Sequence, residues 1–265
     1  MPERQKGPPR VRSRGRSLRV ALFALGASAL PSLASALPFW LKLPENVSTY
    51  GGQIDGLFYL ILWITGIIFV VVEAVLLFFL FRYRHREGKA AHYTHGSNRL
   101  EVIWTIVPAV ICVVLALMSR RSWAEIKQSI PQGAMNVEIL AEQFAWNLRY
   151  PGTDGKLNTA DDVVTLNQLH IPVGRPVVVS LKAKDVIHSF FLPEFRVKQD
   201  AVPGMTTRIW FEATRVGNWE IVCAELCGLG HYRMKGFITV ETQENFDKWL
   251  ADQAAEAAKE ADQSS

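Results

Sequence analysis

Residues 57–81 form an uninterrupted apolar run of 25 residues with one charged side chain, Glu73. At ~1.5 Å of rise per residue, a helix of this length exceeds the ~30 Å hydrocarbon core of a bilayer. The run therefore predicts a tilted transmembrane helix. An ionisable group in lipid is costly, so we expect Glu73 to form a hydrogen bond with a neighbouring protein subunit.

A second apolar run covers residues 102–118 and contains Pro108. Proline is tolerated in a membrane helix when neighbouring groups satisfy the freed carbonyl, so this run predicts a second span. The connection over residues 82–99 is strongly basic, with five Lys/Arg against Glu87: Arg82, Arg84, Arg86, Lys89 and Arg99. The positive-inside rule places this segment in the cytoplasm and both flanks outside a bacterial-type plasma membrane.

Residues 1–36 have the layout of a secretory signal peptide. A basic stretch precedes the apolar residues 20–33, and Ala34-Ser35-Ala36 provides an A-x-A cleavage pattern. We expect a mature N-terminus near Leu37, followed by an N-terminal segment and the two spans over residues 37–121. The alternative is a third membrane helix, for which the apolar run is short.

The net charge of +4 comes from this leader, which carries seven Lys/Arg and one Glu. The rest of the chain has 22 basic and 24 acidic residues. The basicity is thus that of a targeting segment, and we expect no nucleic-acid partner. The residues predicted outside the membrane are net acidic, with 17 basic and 21 acidic side chains, which favours a basic partner.

After the second span the pattern changes to short stretches rich in β-branched residues, separated by Pro-Gly turn signals. These stretches predict an all-β sandwich or barrel over residues 122–250. They are Val137–Leu140, Val163–Ile171, Pro176–Leu181, Thr206–Phe211, Asn218–Cys223 and Gly236–Val240. Residues 246–250 begin a C-terminal helix, and the low-complexity tail 251–265 is expected to fray.

The segment from Cys223 to Met234 concentrates metal-binding groups: two thiols, an imidazole and a thioether within twelve residues. This ligand set selects copper. A mononuclear blue-copper site needs one Cys, two His and a weak axial Met, so the segment has one Cys more than necessary. His188 is the natural donor from a separate strand. Two thiolates can bridge two copper ions, each capped by one histidine.

Three alternatives remain for the two cysteines. They could form a structural disulfide in an oxidising compartment, bind structural zinc with two histidines, or remain buried, inert thiols. Met234 and the long separation from His188 fit a zinc site poorly.

The pattern C-x-E-x-C-G-x-x-H-x-x-M at residues 223–234 resembles the CuA loop of cytochrome c oxidase subunit II. Residues 185–190 and 200–204 match further blocks of that family, and the resemblance covers nearly the whole chain. It implies a two-helix transmembrane hairpin plus an all-β, cupredoxin-like Greek-key sandwich or barrel. It also implies electron transfer from cytochrome c, through the copper centre, to haem in subunit I. There oxygen reduction is coupled to proton pumping.

The same resemblance implies a ligand set for two copper ions. Cys223 and Cys227 would bridge them, His188 and His231 would cap them, and Met234 would be a weak ligand. Glu225 would ligate one copper through its backbone carbonyl and, through its side chain, a magnesium ion shared with subunit I. No catalytic residue is expected in this subunit, and the presence of all these ligands argues against a quinol oxidase.

Two further roles follow from the resemblance. Phe144 occupies the position where the family has a tryptophan for electron entry, with Ala145 after it, so Phe144 and Trp146 are the entry candidates; the alternative for Trp146 is core packing. Glu101 is the candidate for proton entry from the inner face. Its alternative is an ordinary acid at a helix N-terminus, favoured by the macrodipole.

Two rival functions use similar residues: a membrane-tethered copper chaperone or assembly factor, and the electron-accepting subunit of a nitric oxide reductase. For docking a basic cytochrome, the expected acidic contacts are Glu138, Glu142, Asp185 and Asp200, which would tune the association rate more than the affinity.

Overall fold

The computed structural model describes residues 41–128 and 130–263. The predicted signal peptide, residues 1–36, lies outside them. Backbone contacts divide the chain into two units. Of the described residues, one unit comprises 41–43 together with Gly56–Arg86, and the other comprises Pro44–Asp55 together with 87–128 and 130–263.

Two long helices, α1 (Gly51–Arg82) and α2 (Asn98–Gln128), are long and apolar enough to cross a membrane. The predicted spans lie within them, and α2 continues through Pro108. The large apolar side chains from Ile67 to Phe81 are exposed. An apolar surface of this extent marks a contact with lipid or with another protein rather than with water.

The chain from Met135 to Glu241 forms a β-sandwich of two five-stranded sheets. The first sheet has the order β3-β2-β1-β5-β8 and the second has the order β4-β10-β9-β6-β7. Neighbours pair antiparallel except β1 with β5 and β4 with β10, which are parallel. The strands are β1 Met135–Glu142, β2 Ala145–Tyr150, β3 Val163–Leu166, β4 Gln168–Pro172, β5 Pro176–Ala183, β6 His188–Leu192, β7 Val197–Ala201, β8 Thr207–Glu212, β9 Gly217–Cys223 and β10 Lys235–Glu241.

The core lies between the two sheets. In β2 the residues Trp146, Leu148 and Tyr150 are fully buried while their neighbours are half-buried, which is the alternation of a strand with one inward face. The Trp146 ring packs edge-on against Phe190 of β6, with ring centroids 5.7 Å apart. The core therefore joins both sheets beneath the end of the sandwich where β6 begins.

The predicted strand over residues 163–171 is divided in two by Asn167. This residue has φ 59° and turns the chain from β3 in the first sheet to β4 in the second. Its side-chain oxygen accepts a hydrogen bond from the Trp146 backbone N–H at 2.8 Å, and its own N–H donates to the Trp146 carbonyl at 2.8 Å. Asparagine tolerates this left-handed conformation better than most residues, so one residue is sufficient for the change of sheet.

The expectation that residues 251–265 fray was wrong over most of that tail, because α3 runs unbroken from Gln243 to Gln263. Its sequence is rich in alanine, glutamate and glutamine, which are strong helix formers. The helix is also held by Trp249, which stacks on His170 with centroids 4.0 Å apart and an interplanar angle of 4°. Tertiary packing of this kind stabilises most helices in proteins.

The segment from Pro44 to Tyr50 lies along the sandwich. The Val47 N–H donates to the Glu194 carbonyl, and the Val47 carbonyl accepts from the Thr214 N–H, both at 2.9 Å. Ser48 forms an isolated antiparallel bridge with Ala213. These bonds attach the chain preceding α1 to β8 and to the turn before β7.

Candidate metal centre

The donor groups are held by the ends of two strands of the second sheet. His188 begins β6 and Cys223 ends β9. The loop that follows Cys223 is tied to β6 by the Ala224 N–H, which donates to the Ser189 carbonyl at 3.0 Å. It returns to β9 where the Cys223 N–H donates to the Met234 carbonyl at 3.2 Å. The loop thereby brings its ligands back beside His188.

The two sulfur atoms of Cys223 and Cys227 lie 3.8 Å apart, and each has an imidazole nitrogen beside it. The Nδ1 of His188 is 4.0 Å from the Cys223 Sγ, and the Nδ1 of His231 is 3.6 Å from the Cys227 Sγ. The Met234 Sδ lies 3.7 Å from the Cys227 Sγ and 3.1 Å from the His188 Nδ1. The structure thus brings together the five side chains that the sequence pattern suggested as copper ligands.

Glu225 contributes to this cluster through its backbone. Its carbonyl accepts a hydrogen bond from the Cys223 Sγ at 3.2 Å, while its side chain is exposed. The carbonyl and the carboxylate of one residue therefore face different surroundings.

Both cysteines are free thiols, and their sulfur separation is well beyond the ~2.05 Å of a disulfide bond. Burial, together with the neighbouring Cys223, raises the pKa of the Cys227 thiol to about 11. A buried thiolate beside a second sulfur is therefore unfavourable without a cation. This is the electrostatic condition in which a bound metal ion stabilises the deprotonated ligands.

Asp185 orients the His188 ring. Its Oδ1 lies 2.8 Å from the His188 Nε2, and its Oδ2 accepts from the Gln143 N–H at 2.7 Å. Burial disfavours the charged carboxylate, but the hydrogen bonds from His188, Gln143 and Val186 outweigh it and lower the Asp185 pKa to about 2. An ionised carboxylate accepts a hydrogen bond from the Nε2–H group, which leaves the His188 Nδ1 free for a metal.

The donor set fits copper. In the described part of the chain, one group of three or more His, Cys, Asp or Glu residues has its ligand atoms close enough to hold a metal ion: His188, Cys223 and Cys227. His231 and Met234 add an imidazole and a thioether. Thiolate, imidazole and thioether together favour copper, whereas a structural zinc site normally has no thioether.

The two candidates for electron entry differ in exposure. Phe144 is 36% exposed, whereas Trp146 is fully buried and packs against His188, with ring centroids 6.2 Å apart. Trp146 therefore belongs to the core beneath the cluster and does not reach the surface. Glu101 lies in the first turn of α2 and is exposed, as expected of an acid at a helix N-terminus.

The four acidic residues expected to contact a basic partner already have partners within the chain. Glu138 and Glu142 pair with Lys182 and Lys184, each at 2.6 Å. Asp185 is bound to His188 and Gln143, as described above. The Asp200 carboxylate accepts from the Ser189 hydroxyl at 2.6 Å. These contacts offset part of the negative charge that such a partner would encounter.

Sequence reasoning missed one residue of the cluster's surroundings. The side-chain Nε2 of Gln143 donates to the Cys227 carbonyl at 2.5 Å. The two residues are 84 positions apart, and the sequence signal was only that Gln143 lies in an aromatic-rich segment.

Comparisons with known proteins identify the chain. Residues 36–121 match the family described as cytochrome C oxidase subunit II, transmembrane domain, and residues 137–242 match its periplasmic domain. The alternative cytochrome c oxidase subunit 2 of Bradyrhizobium diazoefficiens is 35% identical over 89% of this chain and 91% of its own length. The cytochrome c oxidase subunit 2 of Thermostichus vulcanus is 32% identical over 86% of this chain and 84% of its own.

Among solved structures, the periplasmic domain of subunit II of cytochrome oxidase of Bradyrhizobium japonicum is 29% identical, with a TM-score of 0.42. The match covers 48% of this chain and 99% of that domain. The family matches cover most of the chain, including both apolar helices and the β-sandwich that carries the cysteine pair. The chain therefore belongs to the cytochrome c oxidase subunit II family, with that family's transmembrane domain followed by its periplasmic domain.

Proposed function

We propose that this subunit accepts electrons from cytochrome c at a binuclear copper centre and passes them to haem in subunit I, where oxygen is reduced and protons are pumped. The observation that carries the proposal is the pair of free thiols 3.8 Å apart with one imidazole nitrogen beside each sulfur. A copper pair held there would supply one-electron redox chemistry.

The chain's own residues have separate tasks in this proposal. Cys223 and Cys227 would hold the copper pair through their sulfur atoms, and His188 and His231 would hold it through Nδ1. Met234 and the Glu225 carbonyl complete the ligand set. His188, Cys227 and Met234 are at most 3% exposed, so they exclude water from the site. A site closed to solvent and fixed by protein hydrogen bonds changes its geometry little when an electron arrives.

Electron entry is assigned to Phe144. Its ring lies over the copper-binding loop: a Cβ atom added at Gly230 would lie 2.4 Å from the ring, and one at Gly228 would lie 3.3 Å from it. Phe144 therefore connects the surface to the backbone that carries Cys227 and His231. Three large apolar side chains of the same loop are exposed, which supports docking of protein partners on this face: Leu226, Leu229 and Tyr232.

The remaining assignments follow the family pattern. The exposed carboxylate of Glu225 contributes to a magnesium site shared with subunit I, and Glu101 admits protons from the inner face. The copper domain, residues 122–250, lies on the periplasmic face of a bacterial plasma membrane. The signal peptide, residues 1–36, is removed.

The proposal is tested by loading the purified chain, in detergent, with copper. We expect two copper ions per chain and an EPR spectrum whose hyperfine pattern is that of one electron shared by two equivalent copper nuclei. Cys227→Ser should give one copper and a single-nucleus pattern. One exchangeable Cu(I) per wild-type chain would instead indicate a copper chaperone. An assembled complex that reduces nitric oxide but not oxygen would indicate the reductase.

A further inference from the structure

Gln143 and Phe144 form the two-residue turn between β1 and β2, because the register pairs Glu142 with Ala145 on either side of them. This turn lies against both segments that carry metal ligands. The Gln143 N–H donates to the Asp185 Oδ2 at 2.7 Å, and the Gln143 Nε2 donates to the Cys227 carbonyl at 2.5 Å. One residue thus contacts both segments through two different donors.

The contacts form a continuous hydrogen-bonded chain across the site. It runs from the His188 Nε2 to the Asp185 carboxylate, then to the Gln143 backbone, and from the Gln143 side chain to the Cys227 carbonyl. His188 belongs to β6, whereas Cys227 lies in the loop after β9. The route links a capping histidine to the opposite bridging cysteine without passing through the metal position.

The loop that carries Cys227 is tied to β6 and β9 by backbone hydrogen bonds at its two ends. Residues 224–230 form no strand or helix. The Gly228 and Gly230 carbonyls accept hydrogen bonds from backbone N–H groups further along the loop, whereas the Cys227 carbonyl accepts its hydrogen bond from the Gln143 side chain. Gly228, with φ 131°, is in a conformation that side chains disfavour. A Cβ at Gly228 would also lie 2.7 Å from the Gln143 Nε2. The loop backbone therefore approaches the turn closely enough for the amide to hold it.

We propose that Gln143 is a positioning residue for the copper centre. Its backbone fixes Asp185, and hence the His188 ring, while its side chain fixes the Cys227 peptide, so the distance between capping imidazole and bridging sulfur is set by one turn. This inference rests on the proposed function. Residues that orient metal ligands in this way contribute about 10- to 100-fold to metal affinity.

Gln143→Met is the test, because it keeps the length of the side chain and the backbone N–H but removes the side-chain donor. The matched control is Gln168→Met, at an exposed position in β4. Each variant of the chain is loaded with copper in detergent and titrated with a Cu(I) chelator. We expect Gln143→Met to bind two copper ions with affinity lowered about 10- to 100-fold and a lower midpoint potential, and we expect Gln168→Met to match the wild type.

Unchanged affinity and potential in Gln143→Met would overturn the inference. So would an equal loss of melting temperature in the copper-free and copper-loaded forms with an unchanged potential, because the contact would then serve folding alone. If Gln143→Met does not fold, Gln143→Glu decides: it is nearly isosteric but presents an acceptor to the Cys227 carbonyl, and it should weaken copper binding at least as much. Failure of the wild-type chain to bind two copper ions would instead overturn the proposed function.

Discussion

Asp185 Oδ1 lies 2.8 Å from the Nε2 of His188, and this contact determines which nitrogen of the imidazole faces the two cysteine sulfurs. The carboxylate accepts a hydrogen bond from the Nε2–H group, so Nδ1 is left as the ligand atom, 4.0 Å from the Cys223 Sγ. A carboxylate on the far side of a metal-binding histidine fixes the tautomer and makes the ring a stronger donor.

Asp185→Asn should therefore weaken copper binding without abolishing it. The amide keeps the shape of the side chain but loses the negative charge and cannot accept both the His188 and Gln143 hydrogen bonds. We expect the copper affinity to fall at least about tenfold, measured by competition with a chelator. Asp252→Asn, at an exposed position of α3, is the control. Equal affinities of the two variants would show that Asp185 does not orient the ligand.

Gly230→Ala should destabilise the sandwich through a collision with Phe144. The new Cβ would lie 2.4 Å from the ring, and overpacking of this kind costs about 1–3 kcal/mol. Chemical unfolding would measure the loss. Gly96→Ala, whose nearest neighbouring atom would be 3.8 Å away, should change little. The double variant Phe144→Ala/Gly230→Ala should recover much of the loss; no recovery would place the strain elsewhere.

The sequence was most informative where the relevant residues are close together along the chain. The two membrane-spanning helices could be predicted from the length and the few charges of the apolar runs over residues 57–81 and 102–118. The segment from Cys223 to Met234 predicted a metal site because four candidate metal ligands lie within twelve residues. His188 lies 35 residues before Cys223, and it was inferred as their partner because the ligand set needed a second imidazole from a separate strand.

Strands β2, β6 and β7 were absent from the predicted β stretches, and β6 shows why. His188–Leu192 has the burial pattern of a strand covered on nearly all sides, so it lacks the period-two alternation of a half-exposed strand. The contact between Gln143 and Cys227 could not be predicted for a different reason. It depends on how the β1–β2 turn packs against a loop 84 residues later, which is decided by the tertiary fold.

Arg196 gives a prediction about the chain that precedes and begins α1. Its guanidinium donates to both carboxylate oxygens of Asp55 and to the carbonyls of Pro44 and Pro193. Its backbone is left-handed, with φ 58°. Arg196→Ala loses the charged hydrogen bonds and keeps the strain, whereas Arg196→Gly loses the same bonds but relieves the strain.

We expect both Arg196 variants to lower the free energy of unfolding, with Ala lower than Gly by about 1 kcal/mol. The melting temperature of the chain in detergent measures the difference. Lys198→Ala, two residues later in β7 at an exposed position, is the control. A Gly variant that is less stable than the Ala variant would contradict the argument, because strain relief would then be absent.

Trp249 should be the residue that attaches α3 to the sandwich. Besides stacking on His170, its ring meets Tyr150 edge-on with centroids 5.3 Å apart. Two contacts hold His170 in place. Its Nδ1 lies 2.5 Å from the Glu241 carboxylate, and its backbone N–H donates to the Tyr150 hydroxyl at 2.7 Å. Trp249→Ala removes the ring but leaves the contacts of His170 with Glu241 and Tyr150 intact. Because Trp249 is only half-buried, the free energy of unfolding should fall by about 2 kcal/mol, less than the ~3–5 kcal/mol lost with a fully buried tryptophan.

Limited proteolysis should then cut α3 faster in Trp249→Ala than in the wild type or in Lys248→Ala, at an exposed neighbouring position. The number of copper ions per chain should stay the same, since neither His170 nor Trp249 belongs to the metal cluster. Unchanged proteolysis would show that α3 is held by its other contacts, and loss of copper would show that the helix supports the metal centre as well.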